Sequence, residues 1–297
     1  MDINKLIIFL RAADNGSFIK TAQEMQYTPS GITKMMNNLE EELGFPLFTR
    51  TNKGICITDN ASRILPIIRQ LVGANEQLTQ ECSLINNVIC GNVKVAAFSS
   101  IAIQWIPIIL EKFKHDSPNV HVEIVEESDS AIMKGWIADG FVDLCIFSLE
   151  EEYPFDMINL MDDPMVVILP KNHPLTRFQA LSLDQLSGES FLIAKTGSGL
   201  DKDVMQILSK AKYIPNIDCT SNLDYSIIAM VAHGLGVSIM PLLMIKDHLS
   251  DVAVRPFAPA VTRRLGIATR SFQQLSPAAK LFIKYSKSTV RELVGIQ

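Results

Sequence analysis

The sequence has no excess of positive charge. Its 27 lysines and arginines face 32 aspartates and glutamates, for a formal net charge of −5 at pH 7. This excludes a protein that holds a polyanion by bulk charge, so any contact with nucleic acid must come from a local pattern. Cysteine is scarce. Cys56, Cys82, Cys90, Cys145 and Cys219 are odd in number and widely spaced, with no CxxC pair. Neither a disulfide framework nor a zinc site follows, and reduced, buried thiols are the expectation. No apolar run reaches the ~18 residues a bilayer span needs. Even NVKVAAFSSIAIQWIPIIL is broken by Asn, Lys, Ser and Gln. The opening MDINKLIIFLRAADNGSF lacks the basic, apolar and small-residue order of a secretory leader. No membrane association and a cytoplasmic location are therefore expected.

Signatures of catalysis are missing as well. His115, His121, His173, His233 and His248 are scattered, with no HExxH spacing. Gly197-Ser198-Gly199 lacks nucleophile-elbow spacing, and there is neither a GxGxxG nor a Walker loop. Asp162-Asp163 and Glu150-Glu151-Glu152 are acid runs whose ordinary explanation is a solvated surface. An enzyme is not expected, nor is a cofactor or a metal.

What is present is apolar material in quantity. Hydrophobic residues make up 47% of 297 positions and charged residues 20%, enough for a large core in two or three folding units. Residues 3–13 place Leu6, Phe9, Leu10 and Ala13 on one helical face, and Asn15-Gly16 stops that helix. Ser17 caps a short helix with Phe18, Ala22 and Met25 inward. Thr28 caps a third helix, Pro29 suits its first turn, and Ile32, Met35, Met36, Leu39 and Leu43 mark its inner face up to Gly44. In FPLFTRTNKGICITD, Asn52-Lys53-Gly54 is the turn of a small hairpin.

From Asp59 a long helical stripe runs through Ile64, Leu65, Ile68, Leu71, Val72, Leu78 and Ile85. One helix cannot bury that stripe, so a partner helix is expected, and Pro66 should kink the helix or mark a boundary. After Gly91-Asn92 short extended runs alternate with helices. Strands are expected at 92–98, 121–127, 142–148, 165–169, 191–195, 217–221, 237–240, 252–257 and 263–269. Helices are expected at 101–114, 130–139, 200–210, 223–233 and 276–292. This order predicts an α/β region with a mainly parallel sheet, long enough for two lobes and a crevice.

Three short helices and a hairpin within about 60 residues are winged helix-turn-helix organisation. The outward strip of the third helix, with Ser30, Thr33, Lys34, Asn37 and Asn38, is short and polar enough to enter a major groove. An ordinary solvated helix face has the same look. Residues 1–58 carry Lys5, Arg11, Lys20, Lys34, Arg50 and Lys53 against Asp2, Asp14, Glu24, Glu40, Glu41 and Glu42, so charge does not decide between the two.

The order of GSF at 16–18, Thr21-Ala22, LEEELG at 39–44, PLFTR at 46–50 and Ile57-Thr58 resembles the N-terminal domain of LysR-type transcriptional regulators. GFVDLCI at 140–146 and VAHGLGVSIMP at 231–241 extend the resemblance to the C-terminal region, so it covers essentially the whole chain. It implies an α+β multidomain protein in three parts. Residues 1–58 form a winged helix-turn-helix, and 59–90 a linker and dimerisation helix. Residues 91–297 form an α/β two-lobed sensor domain like type 2 periplasmic binding proteins. Lobe one takes about 91–161 and 266–297, lobe two about 162–265. Implied partners are double-stranded promoter DNA, a small-molecule effector, a second copy in dimers or tetramers, and RNA polymerase.

The DNA-facing candidates are Thr28, Pro29, Ser30, Thr33, Lys34 and Asn37 for the major groove. Arg50, Thr51 and Lys53 on the wing are candidates for phosphates, although Arg50 also reads as a local helix-capping charge. The chain departs from the family pattern where bases are read. Thr28-Pro29-Ser30-Gly31 replaces the usual Ser-Gln-Pro-Ala, Thr33-Lys34 replaces Ser-Arg, and Asn37-Asn38 replaces a basic pair. Weaker phosphate attraction and a shallower salt dependence follow.

In the sensor, Ser99-Ser100 and Thr196-Gly197-Ser198 end strands and open helices, and Asn222 precedes a third helix. Helix N-termini and hydroxyls together suit an anion, in particular a carboxylate. Ile101, Ser128, Phe147, Ser148, Met240 and Pro241 are expected around them. The hydroxyls equally read as plain helix caps, and Asp224 could repel an anion or accept an amine. Two rivals remain: a family member that regulates without a ligand, and a solute-binding protein, which leaves residues 1–90 unexplained.

Overall fold

The computed structural model describes residues 2–52, 54–86, 88–149, 154–196 and 199–295. The first three helices, α1 (Ile3–Asn15), α2 (Phe18–Glu24) and α3 (Pro29–Leu43), begin at side-chain caps. Asp2 accepts from the Asn4 amide, Ser17 from Lys20 and Thr28 from Gly31, each meeting a donor the first turn leaves open. Leu6, Ile8, Phe9, Ala22, Ile32, Met36, Leu39 and Leu47 close one small core.

Strands β1 (Phe48–Thr51) and β2 (Gly54–Ile57) pair antiparallel as a wing. The wing is fixed at both ends. The Glu40 carboxylate of α3 accepts from the Leu47 and Phe48 amides at 2.6 and 3.2 Å. The Ile55 amide donates to the Gly16 carbonyl at 2.9 Å. Gly54 sits at φ +135°, and a Cβ there would collide with the Gly16 carbonyl oxygen, so the wing can lie this close only with glycine.

Helix α4 (Asp59–Ile85) is capped by Thr58, whose hydroxyl also donates to the Pro46 carbonyl. Pro66 does not end it. The carbonyl that Pro66 leaves unbonded belongs to Ser62 on an exposed turn, where water can meet it. The apolar stripe divides in two. Ile64, Leu65, Ile68 and Val72 pack into the core of the head. Leu71, Leu78 and Ile85 remain on the surface, Leu78 at 63% and Ile85 at 80% exposed, joined there by Ile67, which is not part of the stripe.

Beyond α4 lie β3 (Gly91–Ala97), α5 (Ser99–Gln104), α6 (Ile106–Asp116), β4 (Val120–Glu126), α7 (Ser130–Asp139), β5 (Leu144–Ser148) and β6 (Asp156–Leu169). Then come β7 (Ser190–Thr196), β8 (Gly199–Leu200), α8 (Lys202–Leu208), β9 (Asn216–Ser221), α9 (Asp224–Ala232), β10 (Ser238–Pro241), α10 (Leu242–Ile245), β11 (Ala253–Thr269) and α11 (Pro277–Val294). The single helix expected at 101–114 is two, because the chain restarts at Ile106-Pro107.

The order of the main sheet is β10-β6-β11-β5-β3-β4, and β8-β7-β9 form a second sheet. It is mixed rather than mainly parallel. β3 runs parallel to β4 and β5, while β6 and β11 run antiparallel to each other on both sides of a break at 257–260. The strands expected separately at 252–257 and 263–269 are one strand, and that at 165–169 extends back to Asp156. Their two halves feed different cores. Leu265 and Ile267 pack with Val93, Trp105, Phe113 and Phe282; Met165, Val167 and Phe257 pack with Phe191 and Ile239. Two lobes thus share two crossing strands, which carry irregularities at Pro256/Val261 and Leu265/Gly266.

The linker helix α4 is bolted to lobe one. Gln80 is buried, and its Oε1 accepts from the Ala278 amide at the start of α11 at 3.3 Å. Asn92 donates to Glu76 at 2.8 Å. Arg69 pairs with Asp14 of α1 at 2.8 Å and lies over the Phe141 ring of lobe one at 5.0 Å.

Asp143 sits at this junction and accepts from the Lys94 amide at 2.7 Å. Burial, assisted by Glu76 and opposed by Lys94, pushes its carboxyl from 3.8 up to about 6. A raised carboxyl favours the folded state while protonated, and that contribution is lost as pH climbs from 3.8 through about 6. Asp143→Asn keeps the acceptor without the charge. It should stabilise the chain by about 3 kcal/mol at pH 8 and by almost nothing below about pH 4, measured by urea unfolding at both values.

Among the described residues only Cys145 is a buried cysteine. Cys56 and Cys82 are exposed, and Cys90 and Cys219 are half-buried, so the expectation of buried thiols holds for one of the five. No described helix is long and apolar enough to cross a membrane.

Candidate functional site

Two regions could carry chemistry: the outer face of α3, and the cleft between the lobes. On α3 the inward side, Ile32, Met36 and Leu39, is fully buried, which fixes what faces out. Thr28, Pro29, Ser30, Lys34 and Asn37 are exposed and Thr33 is half-exposed. Not every hydroxyl is at liberty. Thr28 Oγ1 accepts from the Gly31 amide and lies 3.2 Å from Ser30 Oγ, while Thr33 Oγ1 donates to the Pro29 carbonyl at 2.9 Å. The Thr33 hydroxyl is thus spent within the helix, while Ser30, Lys34 and Asn37 present polar atoms on the exposed face. Arg50 and Thr51 are exposed on β1; Arg50 opposes Ile55 across the hairpin. Lys53 lies outside the described residues.

The cleft, about 290 Å³, is lined from lobe one by Phe98, Ser99, Ser100, Ser128, Asp129, Lys134 and Ser148. Lobe two and the crossing strands supply Asp201, Lys202, Asp203, Asp224, Pro241, Met244 and Arg263. At its floor is a buried pair. Asp163 on β6 and Arg263 on β11 meet at 2.9 to 3.0 Å with almost no exposure. Arg263 Nη2 also donates to the Ser100 hydroxyl at 2.9 Å, and Asp163 Oδ1 accepts from the Leu243 amide at 3.1 Å. Four groups from β6, β11, α5 and α10 are thus joined where the strands cross. Burial raises the Asp163 carboxyl above its ordinary value, with the Arg263 guanidinium and the Leu243 amide pulling it back.

Of the residues singled out in the sensor, Ser99, Ser100, Ser128, Ser148 and Pro241 come together on the cleft wall. Four others do not. Ile101 turns inward from the first turn of α5, and Phe147 lies on a strand buried on both faces. Met240 packs in the core of lobe two behind Pro241. Asn222 is exposed and does not line the cleft. The side chain of Thr196 lies outside the described residues, as does Ser198.

The capping expectation also shifts. α5 starts without a side-chain cap, because Phe98 holds its N-cap position; Ser100 lies inside the first turn and accepts from Arg263, and α8 is capped by Asp201. Sequence reasoning missed Asp163 and Arg263. They are a hundred positions apart, and Asp163 sits in an acid pair that reads as surface.

Comparison with known proteins agrees with this architecture. A family model described as bacterial regulatory helix-turn-helix protein, lysR family, matches residues 3–62, and one described as LysR substrate binding domain matches residues 86–291. An uncharacterised HTH-type transcriptional regulator of Bacillus subtilis, YoaU, is 26% identical over 295 residues, with 98% of this chain and 99% of that protein covered. A full-length OxyR variant from Pseudomonas aeruginosa has the same fold, with TM-score 0.78 and 24% identity over 98% of this chain and 95% of that one. The effector binding domain of QuiR in complex with shikimate aligns with TM-score 0.60 and 21% identity, over 68% of this chain and 98% of that one.

Proposed function

The chain belongs to the LysR family of bacterial transcriptional regulators, and from that premise we propose that it is a sequence-specific promoter-binding protein whose α3 reads bases and whose cleft takes a small, carboxylate-bearing effector. The observation that carries the DNA reading is the divided surface of α3. A fully buried inner face holds Thr28, Pro29, Ser30, Thr33, Lys34 and Asn37 out towards a groove. Arg50, Thr51 and Lys53 on the wing would hold phosphates on either side. Lys34→Ala should weaken binding to a preferred genomic fragment about 5- to 150-fold, the equivalent of about 1–3 kcal/mol. Unchanged affinity and an unchanged salt slope in a fluorescence titration would remove Lys34 from the reading surface. If no genomic fragment is preferred over random duplex, the whole reading goes with it.

The carboxylate part of the proposal is supported by the hydroxyls of Ser99, Ser100, Ser128 and Ser148 on one wall and by the shikimate bound to a fold neighbour. Ser100 is held by Arg263, so an acid arriving there would meet an arginine already paired with Asp163. Effector binding would shift the angle between the lobes and so the packing of protomers on DNA. The exposed stripe on α4 would pair with that of a second copy, giving a dimer or tetramer that works in the cytoplasm with RNA polymerase rather than as an enzyme.

A further inference from the structure

The cleft holds more acid than its counter-charges can neutralise. Asp129, Asp201, Asp203 and Asp224 line it with Lys134, Lys202 and Arg263, and Arg263 is already committed to Asp163. Asp224 differs from the others. It occupies the first position of α9 on the cleft wall, and among the described residues no hydrogen-bond donor reaches its carboxylate. Its neighbour Leu223 turns its amide to the Ser221 hydroxyl instead.

Asp201 lines the same cleft, near enough for its charge to act on Asp224, with Oδ1 occupied by the Val204 amide and Oδ2 without a donor among the described residues. Burial and the like charge of Asp201 push the Asp224 carboxyl up to about 6, with Arg263 pulling the other way. A half-enclosed carboxylate without a donor, beside a second one, is costly unless something positive arrives. Water could solvate either oxygen but would leave the two like charges unbalanced.

We propose that the effector is a small zwitterion whose ammonium group sits between Asp201 and Asp224 on lobe two, while its acidic or polar end meets the hydroxyls of Ser99, Ser128 and Ser148 on lobe one. The proposal rests on the effector reading above and deepens it by fixing the ligand's charge. A ligand held at both ends would also draw the two walls together, because each wall supplies one half of its complement.

The test does not need the ligand's identity. A small-molecule extract of the native cells is passed over a strong cation exchanger at low pH. The resin retains amines and amino acids, while plain carboxylic acids flow through. Each fraction is added to the full chain and thermal unfolding is followed at pH 8. The ammonia eluate should raise the melting temperature. The dose needed should increase at least about tenfold in Asp224→Asn and in Asp201→Asn, the latter keeping a competent helix cap.

Either variant alone serves if the other folds poorly, as judged by its unfolding without additions. Stabilisation confined to the flow-through, or an eluate effect equal in wild type and variants, overturns the zwitterion and leaves a small-molecule effector standing. Stabilisation by no fraction overturns the effector reading together with it.

Discussion

Asp163→Ala is expected to destabilise the two-lobed region by about 3–5 kcal/mol, the cost of leaving a buried guanidinium without its partner. The size of the effect follows from the company Asp163 keeps. It is 1% exposed, it is the carboxylate partner of Arg263, and it accepts from the Leu243 amide. Removing it strands a charge and a backbone donor together, both nearly without exposure in the native fold.

Asp163→Asn keeps one acceptor oxygen, enough for Leu243 or for Arg263 but not for both, and should cost less than alanine. Replacing both members, as in Asp163→Leu with Arg263→Met, should recover much of the loss, since a buried pair exchanged for apolar groups of similar volume is close to neutral. Urea unfolding followed through the two tryptophans, Trp105 and Trp136, both in lobe one, reads the change. A loss below about 1 kcal/mol for the alanine variant would mean that the pair is solvated and the hinge is held elsewhere.

The second large effect lies on the linker helix. Leu71→Asp combined with Leu78→Asp should convert a paired protein to monomers and lower affinity for a two-half-site promoter by about 10²- to 10⁴-fold, because the second head no longer binds as part of the same molecule. Both positions are exposed within one chain, so a monomer should keep its stability. Sedimentation at micromolar concentration and a parallel DNA titration separate the two readouts. Dimers that persist with full promoter affinity would move the pairing surface off α4.

Much of the head was legible in the sequence because its signals are local. Thr28 and Pro29 open α3, Gly44 closes it, and Ile32, Met36 and Leu39 repeat at helical spacing; every one of those cues acts within a turn or two. The cleft was only half legible. Ser99, Ser100, Ser128 and Ser148 announce themselves as small polar residues at element ends.

The groups that tie the hinge do not. Asn159 to Pro164 precedes the strand expected at 165–169 and carries an acid pair that reads as surface, yet it is the middle of β6, paired except at Leu160 with a strand a hundred residues away. Burial of Asp163 depends on Arg263, and nothing near either residue in the chain records the other. Ile101, Phe147 and Met240 failed for the opposite reason. Their neighbours reach the cleft, but strand alternation and the first turn of α5 rotate these three into the core.

The bolt between Gln80 and the start of α11 makes the rod behind the reading head a lever. From Gln80 back to Asp59 the helix extends about 32 Å at 1.5 Å per residue. A tilt of lobe one by about six degrees about that point swings the far end by about 3.3 Å, close to the about 3.4 Å rise of one base step along a strand. A rearrangement too small to alter the interior of either lobe is therefore enough to move a head by one base pair.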